Sequence, residues 1–436
     1  MKERQEKVAV VGIGYVGLPV ACMFASKGFQ TVGLDISEER VAMVNQGFCP
    51  IGGKEPGLSE MMEEAVSAGM LRASADYASI SDADLIVVCV DTPVDKEKTP
   101  ILNSIRAATE SIGRNLKAGA TVSIESTIPP GTMTGTVLPI LERESGLRAG
   151  KGFHLLHCPE RVMPGRLLAN LREYKRVLGG LDEDSIARGM YFYSSYVEAE
   201  ILTTDLVSAE ISKTGENAYR DVQIAFANEM ALICEKLGAD VYEVRELINS
   251  SPFRDMHIPG SGVGGYCLPK DSWLLVSNAR EEADLIPIAR EVNERMPRHL
   301  ASLAREALAG LPNFKGRRKV AVMGIAFLRD SDDTRNTPAA AVIEELSRDF
   351  DIVAHDPYVE SFLNLKIERD PYAAMQGSDI AVFVTDHGIY SSLDLGEVRK
   401  SLRHPLVVDG RNIFDSEDCN RAGIRYWGIG KGAVRE

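Results

Sequence analysis

Lys7-Val8-Ala9-Val10-Val11-Gly12-Ile13-Gly14-Tyr15-Val16-Gly17-Leu18 is the stretch on which the fold of this chain turns. A short apolar run leads into three glycines spaced Gly12-x-Gly14-x-x-Gly17, and an apolar helix is expected from Leu18 to about Lys27. Thr31-Val32-Gly33-Leu34 then reads as a second strand ending in Asp35, 18 residues after Gly17. This order of strand, glycine turn, helix, strand and acid is what a dinucleotide needs. Gly12 permits the tight turn. Gly14 lets the backbone approach a pyrophosphate, which lies at the positive helix N-terminus. Asp35 accepts from the adenosine ribose hydroxyls and repels a 2′-phosphate, so NAD is expected rather than NADP. Tyr15, Val16, Arg40 and Thr92 are expected to complete that site. The alternative, a glycine turn used for packing alone, needs no acid at Asp35.

Asp84-Leu85-Ile86-Val87-Val88-Cys89-Val90 and Thr121-Val122-Ser123-Ile124-Glu125 continue the pattern. Near-continuous apolar strands separated by helices predict a parallel sheet covered on both faces. The opening then recurs. Lys319-Val320-Ala321-Val322-Met323-Gly324-Ile325-Ala326 echoes residues 7–14, with Ala326 where Gly14 stands, and Asp351-Ile352-Val353-Ala354-His355-Asp356 echoes the strand ending at Asp35. From about Leu206 to Leu237 there is no Pro and only one Gly, which predicts one long helix stopped by Gly238. The expected fold is therefore α/β: two doubly wound, Rossmann-like domains (1–203 and 315–436) joined by a central helical segment (204–310). The Gly310–Gly316 stretch is the expected second boundary.

The chain has 436 residues, too many for one core, and a formal net charge of -14. That charge argues against nucleic acid and anionic membranes as partners. No signal peptide and no spanning helix are expected. The seven cysteines are scattered, odd in number and without a CxxC pair, which predicts reduced thiols in a cytoplasmic protein and no metal site.

Three further stretches carry chemistry. Pro259-Gly260-Ser261-Gly262-Val263-Gly264-Gly265-Tyr266-Cys267-Leu268-Pro269-Lys270-Asp271 sets a cysteine beside a loop whose glycine density makes sense where backbone passes close to a ligand. Lys270 is placed to favour the thiolate, the nucleophilic form. Lys213 and Asn217, at i and i+4, share one helix face and could bind an oxyanion or hold a water. An exposed lysine on a solvated face is the plainer reading of that pair. Glu160, in His157-Cys158-Pro159-Glu160-Arg161-Val162-Met163-Pro164-Gly165, follows a strand and suits general-base work. Asp91-Thr92-Pro93 and the run from Glu125 through Thr127 to Thr132 follow strands and face the cofactor crevice.

Taken in order, these motifs resemble the UDP-glucose/GDP-mannose dehydrogenase family across nearly the whole chain. The resemblance rests on Gly12 to Pro19, Ser126 to Thr132, the Gly264 to Asp271 box and Asp333-Thr334-Arg335-Asn336-Thr337-Pro338. Cys158 to Arg166 and Glu216 to Glu229 look like its UDP-N-acetylmannosamine branch, whereas Lys270 is the choice of the UDP-glucose branch. The resemblance implies a four-electron oxidation of a UDP-sugar C6 hydroxyl using two NAD. It implies that Asp271 and Lys213 act around a water to take the hydroxyl proton and that Thr127 orients the site. Cys267 would attack the aldehyde, and Lys213 and Asn217 would stabilise the resulting oxyanion, by roughly 3 kcal/mol each. Glu160 would activate the water that hydrolyses the thioester. Substrate contacts are expected from Arg161, Gly260, Gly262, Gly264, Gly265, Lys270, Phe327 and Arg411, and from Arg254 reaching a neighbouring subunit. Arg335 is expected to contact the cofactor, and the long helix to form a homodimer. The alternatives are oxidation of UDP-glucose or UDP-N-acetylglucosamine, a single-step hydroxyacid dehydrogenase, and a non-catalytic nucleotide-sugar or NAD sensor.

Overall fold

The computed structural model describes residues 6–52, 55–163, 165–312 and 315–433. Pro164 of the Glu160 loop, and Asn313 and Phe314 of the expected boundary, lie outside the described residues, as do residues 1–5 and 434–436. The chain divides into two compact units, Met1–Glu216 with Trp273–Arg280, and Asn217–Ser272 with Glu281–Glu436.

In the first unit eight strands form one sheet: β1 (Lys7–Val11), β2 (Gln30–Leu34), β3 (Leu71–Ser74), β4 (Leu85–Val88), β5 (Thr121–Ile124), β6 (His154–His157), β7 (Arg176–Gly180) and β8 (Ile201–Asp205). Their order is β3-β2-β1-β4-β5-β6-β7-β8. The order reverses between β1 and β4, which makes the crevice outside their carboxyl ends the place for a ligand. Every pair is parallel except β6 with β7. Leu85, Ile86, Val87 and Val88 are all fully buried, as a strand covered on both faces requires. Val8 and Val10 pack into one core, Ala9 and Val11 into another. Each such aliphatic side chain contributes about 1.5–3 kcal/mol by leaving water.

The second unit repeats the plan with β9 (Lys319–Met323), β10 (Asp351–His355), β11 (Ser361–Phe362), β12 (Leu365–Glu368), β13 (Ile380–Phe383), β14 (Leu406–Asp409), β15 (Arg425–Gly428) and β16 (Gly432–Ala433). The order is β11-β12-β10-β9-β13-β14-β15-β16, parallel within and antiparallel at both ends. Alternate residues of β9 again divide between two cores, Val320 and Val322 against Ala321 and Met323. The fold is thus two doubly wound α/β halves with a long helix between their sheets in sequence. That helix runs Leu206–Leu237 and ends at Gly238, whose φ of 77° is the left-handed stop that glycine supplies. Among the described residues no helix is long and apolar enough to cross a membrane.

Candidate active site

In the first unit the glycine turn has the geometry a pyrophosphate requires. Gly12 has φ of 88°, and a Cβ there would meet the Cys89 carbonyl oxygen at 2.4 Å. A Cβ at Gly17 would lie 1.9 Å from the Gly12 carbonyl oxygen, so the helix Gly17–Ser26 begins where only glycine fits. At Gly14 a Cβ would meet no protein atom within 4 Å, so packing within the chain does not demand that glycine. The open space beside it leaves room for a ligand. Asp35 Oδ2 accepts from the Ile13 N–H at 3.2 Å and from Arg40 Nη1 at 2.8 Å, and Oδ1 accepts from the Ser37 N–H at 3.0 Å. Tyr15 and Val16 line the turn half-buried, and the Tyr15 hydroxyl donates to Glu55. The residues present fit a dinucleotide.

The loop after β5 is fixed from several sides. Ser126 Oγ accepts from the Val90 N–H at 2.8 Å, and Thr92 Oγ1 donates to the Thr127 carbonyl at 2.5 Å. Glu210, on the long helix, accepts from the Gly131 and Met133 N–H groups at 2.7 Å each. Thr127 is left half-buried above β5. Lys213, one turn after Glu210, is only 8% exposed, so the solvated-face reading of this lysine does not hold.

Glu160 stands in the same unit. Burial pushes its carboxyl up to about 7, with the charges of Lys213 and Arg176 pulling the other way. Its Oε1 is buried without a hydrogen-bond partner among the described residues. A carboxylate held near neutrality with an open acceptor is suited to taking a proton from water. Beneath it lies a buried pair: Arg176 Nη2 is 3.1 Å from Glu125 Oε2, and Tyr193 donates to Glu125 Oε1 at 2.8 Å. Neighbouring Arg161 is held by Glu216 at 2.9 Å and by the Lys175 carbonyl at 3.2 Å.

The second unit holds a cluster of candidates of its own. Cys267 is exposed, and its carbonyl accepts the N–H groups of Lys270 and Asp271 at 3.0 and 2.8 Å. It therefore heads the helix Leu268–Val276, whose positive end favours negative charge. Asp271 is fully buried. Its Oδ2 accepts from Asn217 Nδ2 at 2.6 Å and its Oδ1 from Lys270 Nζ at 2.7 Å. Lys270 also lies 5.0 Å over the Tyr266 ring. Two candidates, Asn217 from the long helix and the neighbouring Lys270, thus share one carboxylate. The buried thiols behave differently: burial pushes Cys158 up to about 11 and Cys22 up to about 12, so both remain inert packing groups.

The glycine loop is explained by its neighbours. A Cβ at Gly264 would lie 2.4 Å from Phe327 Cβ, and one at Gly265, whose φ is 85°, 2.9 Å from the Phe327 ring. Gly262 has φ of 129° and rests on Pro297. Arg411 reaches the space beside Gly260, and its Nε donates to Asp386 at 3.1 Å. Arg335 pairs with Asp333 at 2.5 Å. Arg254 is exposed, follows the left-handed, fully exposed Phe253, and donates only weakly to the local carbonyls of Phe253 and Pro252 at 3.3 and 3.5 Å. It is not gathered with the other site residues of its unit. Among the described residues no group of three His, Cys, Asp or Glu side chains is placed to hold a metal.

Sequence reasoning missed a buried polar stripe on the long helix. Glu210, Thr214, Asp221 and Asn228 are all fully buried on the long helix, with Asn217 between them. Their spacing of four, three, four and seven is a helical stripe, but one built of polar residues, where the usual search is for apolar ones.

Comparison with known proteins accounts for this layout. Models of the UDP-glucose/GDP-mannose dehydrogenase family match three consecutive stretches: the NAD binding domain at 6–197, the central domain at 207–295 and the UDP binding domain at 321–416. The chain is 39% identical to a UDP-N-acetyl-D-mannosamine dehydrogenase of Pyrococcus horikoshii over 98% of this chain and 100% of that one. A solved structure of the P. horikoshii UDP-D-ManNAc dehydrogenase superposes with a TM-score of 0.91, also at 39% identity over 98% and 100% of the two chains. An NDP-N-acetyl-D-galactosaminuronic acid dehydrogenase from Methanosarcina mazei Go1 superposes at 0.88, with 36% identity over 99% and 96%.

Proposed function

This chain belongs to the UDP-glucose/GDP-mannose dehydrogenase family of NAD-dependent oxidoreductases, and on that premise we propose that it oxidises the C6 hydroxyl of a UDP-N-acetylhexosamine, UDP-N-acetylmannosamine in the first instance, to the carboxylate. The observation that carries the reading is the exposed Cys267 heading a helix whose first turn holds buried Asp271, itself bound by Asn217 and Lys270. The sugar assignment rests on the activity of the Pyrococcus horikoshii relative and on Arg161 of the Glu160 loop, fixed by Glu216 of the long helix.

Gly12, Gly14, Tyr15, Val16, Gly17, Asp35, Arg40, Thr92, Thr127 and Arg335 would hold the dinucleotide, which would supply the hydride acceptor for each of the two oxidations. The residues of the chain do the rest. Lys213 and Asp271 hold a water that takes the C6 proton, with Thr127 orienting the site. The Cys267 thiolate adds to the aldehyde carbon, forming a C–S bond. Lys213 and Asn217 donate to the oxygen that becomes negative. Loss of the second hydride leaves a thioester on Cys267. Glu160 takes a proton from water, the water oxygen displaces sulfur, and the carboxylate leaves. One alcohol and one water thus give one carboxylate, with two NAD reduced. Covalent capture keeps the aldehyde from escaping between the steps.

Arg161, Gly260, Gly262, Gly264, Gly265, Lys270, Phe327 and Arg411 bind the sugar nucleotide in this account, with 1–203 as the NAD domain, 204–310 as the central domain and 315–436 as the UDP-sugar domain. The protein acts as a homodimer. Tyr219, Phe226 and Ile233 are exposed at heptad spacing on the long helix, which supports pairing along it. Arg254, exposed on its own subunit, reaches the partner's substrate. Residence in the cytoplasm fits an odd number of scattered cysteines. NADH yield on UDP-glucose, UDP-N-acetylglucosamine, UDP-N-acetylmannosamine and UDP-N-acetylgalactosamine tests the reading. Two NADH per sugar, fastest with UDP-N-acetylmannosamine, is expected. One NADH per sugar at completion contradicts it.

A further inference from the structure

Asp221 and Asn228 lie seven residues apart on the helix Leu206–Leu237, and both are fully buried in the second unit. Asp221 Oδ1 accepts from Arg290 Nη1 at 2.6 Å and from Asn293 Nδ2 at 2.8 Å. Asn228 Nδ2 donates to Asn293 Oδ1 at 2.8 Å, and the Gly260 N–H donates to Asn228 Oδ1 at 2.9 Å. On the other side Ser272 Oγ donates to Asp221 Oδ2 at 3.3 Å. Gly260 opens the glycine-rich loop, and Ser272 directly follows Asp271.

The direction of this relay is fixed by its two ends. A backbone N–H can only donate and a carboxylate can only accept. Asn228 must therefore turn its oxygen to Gly260 and its amide nitrogen to Asn293, and Asn293 must turn its nitrogen to Asp221. Each bond polarises the next toward the buried charge, which Arg290 balances. An apolar residue at 228 would leave the buried Gly260 N–H unpaired. The loop between the anchors is glycine-rich and costs more than most to immobilise.

We infer that Asp221 is a positioning residue that clamps both ends of the segment 260–272, through Asn293 and Asn228 at one end and Ser272 at the other, and so holds Cys267 and Asp271 at their working separation. The inference rests on the proposed role of Cys267. It assigns to the central helix a task apart from dimer formation: the buried stripe of that helix sets the geometry of the nucleophile's loop.

The test uses the full chain with Ser272→Ala, Ser272→Thr and Asn228→Ala, none of which introduces or strands a charge. Three quantities are read: kcat and KM with the best sugar of the panel, NAD affinity, and the rate at which iodoacetamide alkylates Cys267. Cutting either arm is expected to lower kcat by about 10- to 100-fold, since sub-ångström misplacement of a reacting group is that costly. NAD affinity should not change. The alkylation rate of Cys267 should shift several-fold, and Ser272→Thr, which keeps the hydroxyl, should restore both. The double variant should lose less than the product of the two single losses, because both arms hold one loop. Should Asn228→Ala not fold, the Ser272 pair decides alone. Wild-type kcat and alkylation in folded variants, with only thermal stability reduced, overturns the inference. If Cys267→Ala keeps full carboxylate production, the proposed chemistry fails instead, and the alkylation rate alone still decides whether the clamp positions the loop.

Discussion

At the end of β2, Asp35 accepts from the Ile13 N–H at 3.2 Å and gives the remainder of its carboxylate to the Ser37 N–H and Arg40. At the end of β10, Asp356 accepts from the equivalent Ile325 N–H at 2.7 Å and also from the Ala326 N–H at 2.9 Å. Its other oxygen takes the Tyr358 and Val359 N–H groups, and His387 Nε2 lies 3.0 Å away. These contacts and the His387 imidazole hold the Asp356 carboxyl well below the usual carboxylate range, although burial works against them. The second half satisfies its turn amides with its own buried carboxylate, where the first half keeps an open glycine and pairs its acid with the half-exposed Arg40. A repeated topology therefore does not repeat a ligand. The two acids differ in how many turn amides they take, one for Asp35 and two for Asp356.

Removing the acid in each half should break the symmetry most visibly. Asp356→Asn replaces an acceptor by a donor amid N–H groups and should destabilise the second unit by about 3–5 kcal/mol, read by chemical denaturation. Asp35→Asn should cost about 1 kcal/mol or less, because water and Arg40 remain available. Equal losses would mean that the two acids do the same job. Next in size, Asp35→Ser should weaken NAD binding and narrow the preference for NAD over NADP about tenfold, by removing the charge that repels a 2′-phosphate. A wild-type enzyme that used NADP as well as NAD would remove the assigned role of Asp35.

Acidity separates the halves more gently. Burial drives His157 in the first unit and His355 in the second down to about 4. Unfolded histidines titrate near 6.5. Both units should therefore lose stability as pH falls from about 6.5 towards about 4, because only the unfolded chain takes up those protons. Glu160 works in the opposite sense. Its folded value near 7 lies above the unfolded value, so its contribution is present at acid pH and lost as pH rises through about 7. Glu160→Gln should thus steepen the acid weakening of the first unit alone, and should remove the rising limb of kcat near pH 7. The smallest effect belongs to Ala326→Gly. It restores the second glycine of the second turn and should cost only about 0.5–1 kcal/mol. No dinucleotide binding to the second half should appear, because Asp356 already holds the amides.

Much of this architecture was legible because burial on both faces writes itself into sequence as unbroken aliphatic runs such as Leu85 to Val88, and because Gly238 marks the end of the long helix. The glycine turn was legible because close backbone approach admits no other residue at Gly12 and Gly17. The antiparallel turn of β7 against β6 was not, since a buried strand carries no mark of its direction. Nor could Lys213 and Asn217 be told from a solvated pair, because neither the burial of Lys213 nor the partner of Asn217 is written in the residues beside them. The bond from Asn217 to Asp271 spans 54 residues. The carboxyl of Glu160 near neutrality likewise comes from burial, which outweighs the opposing charges of Lys213 and Arg176 and which only the fold supplies.

Cys267→Ala, incubated with UDP-N-acetylmannosamine and NAD and followed by NADH yield and intact mass, tests the central claim most directly. The first oxidation does not use sulfur, so the variant should bind NAD normally and make at most one NADH per sugar, with no covalent adduct and no carboxylate. Wild-type enzyme quenched in turnover should carry the mass of a sugar nucleotide on Cys267. Carboxylate formed by Cys267→Ala at near wild-type rate would contradict covalent catalysis and leave the second oxidation to a hydrated aldehyde held by Lys213 and Asp271.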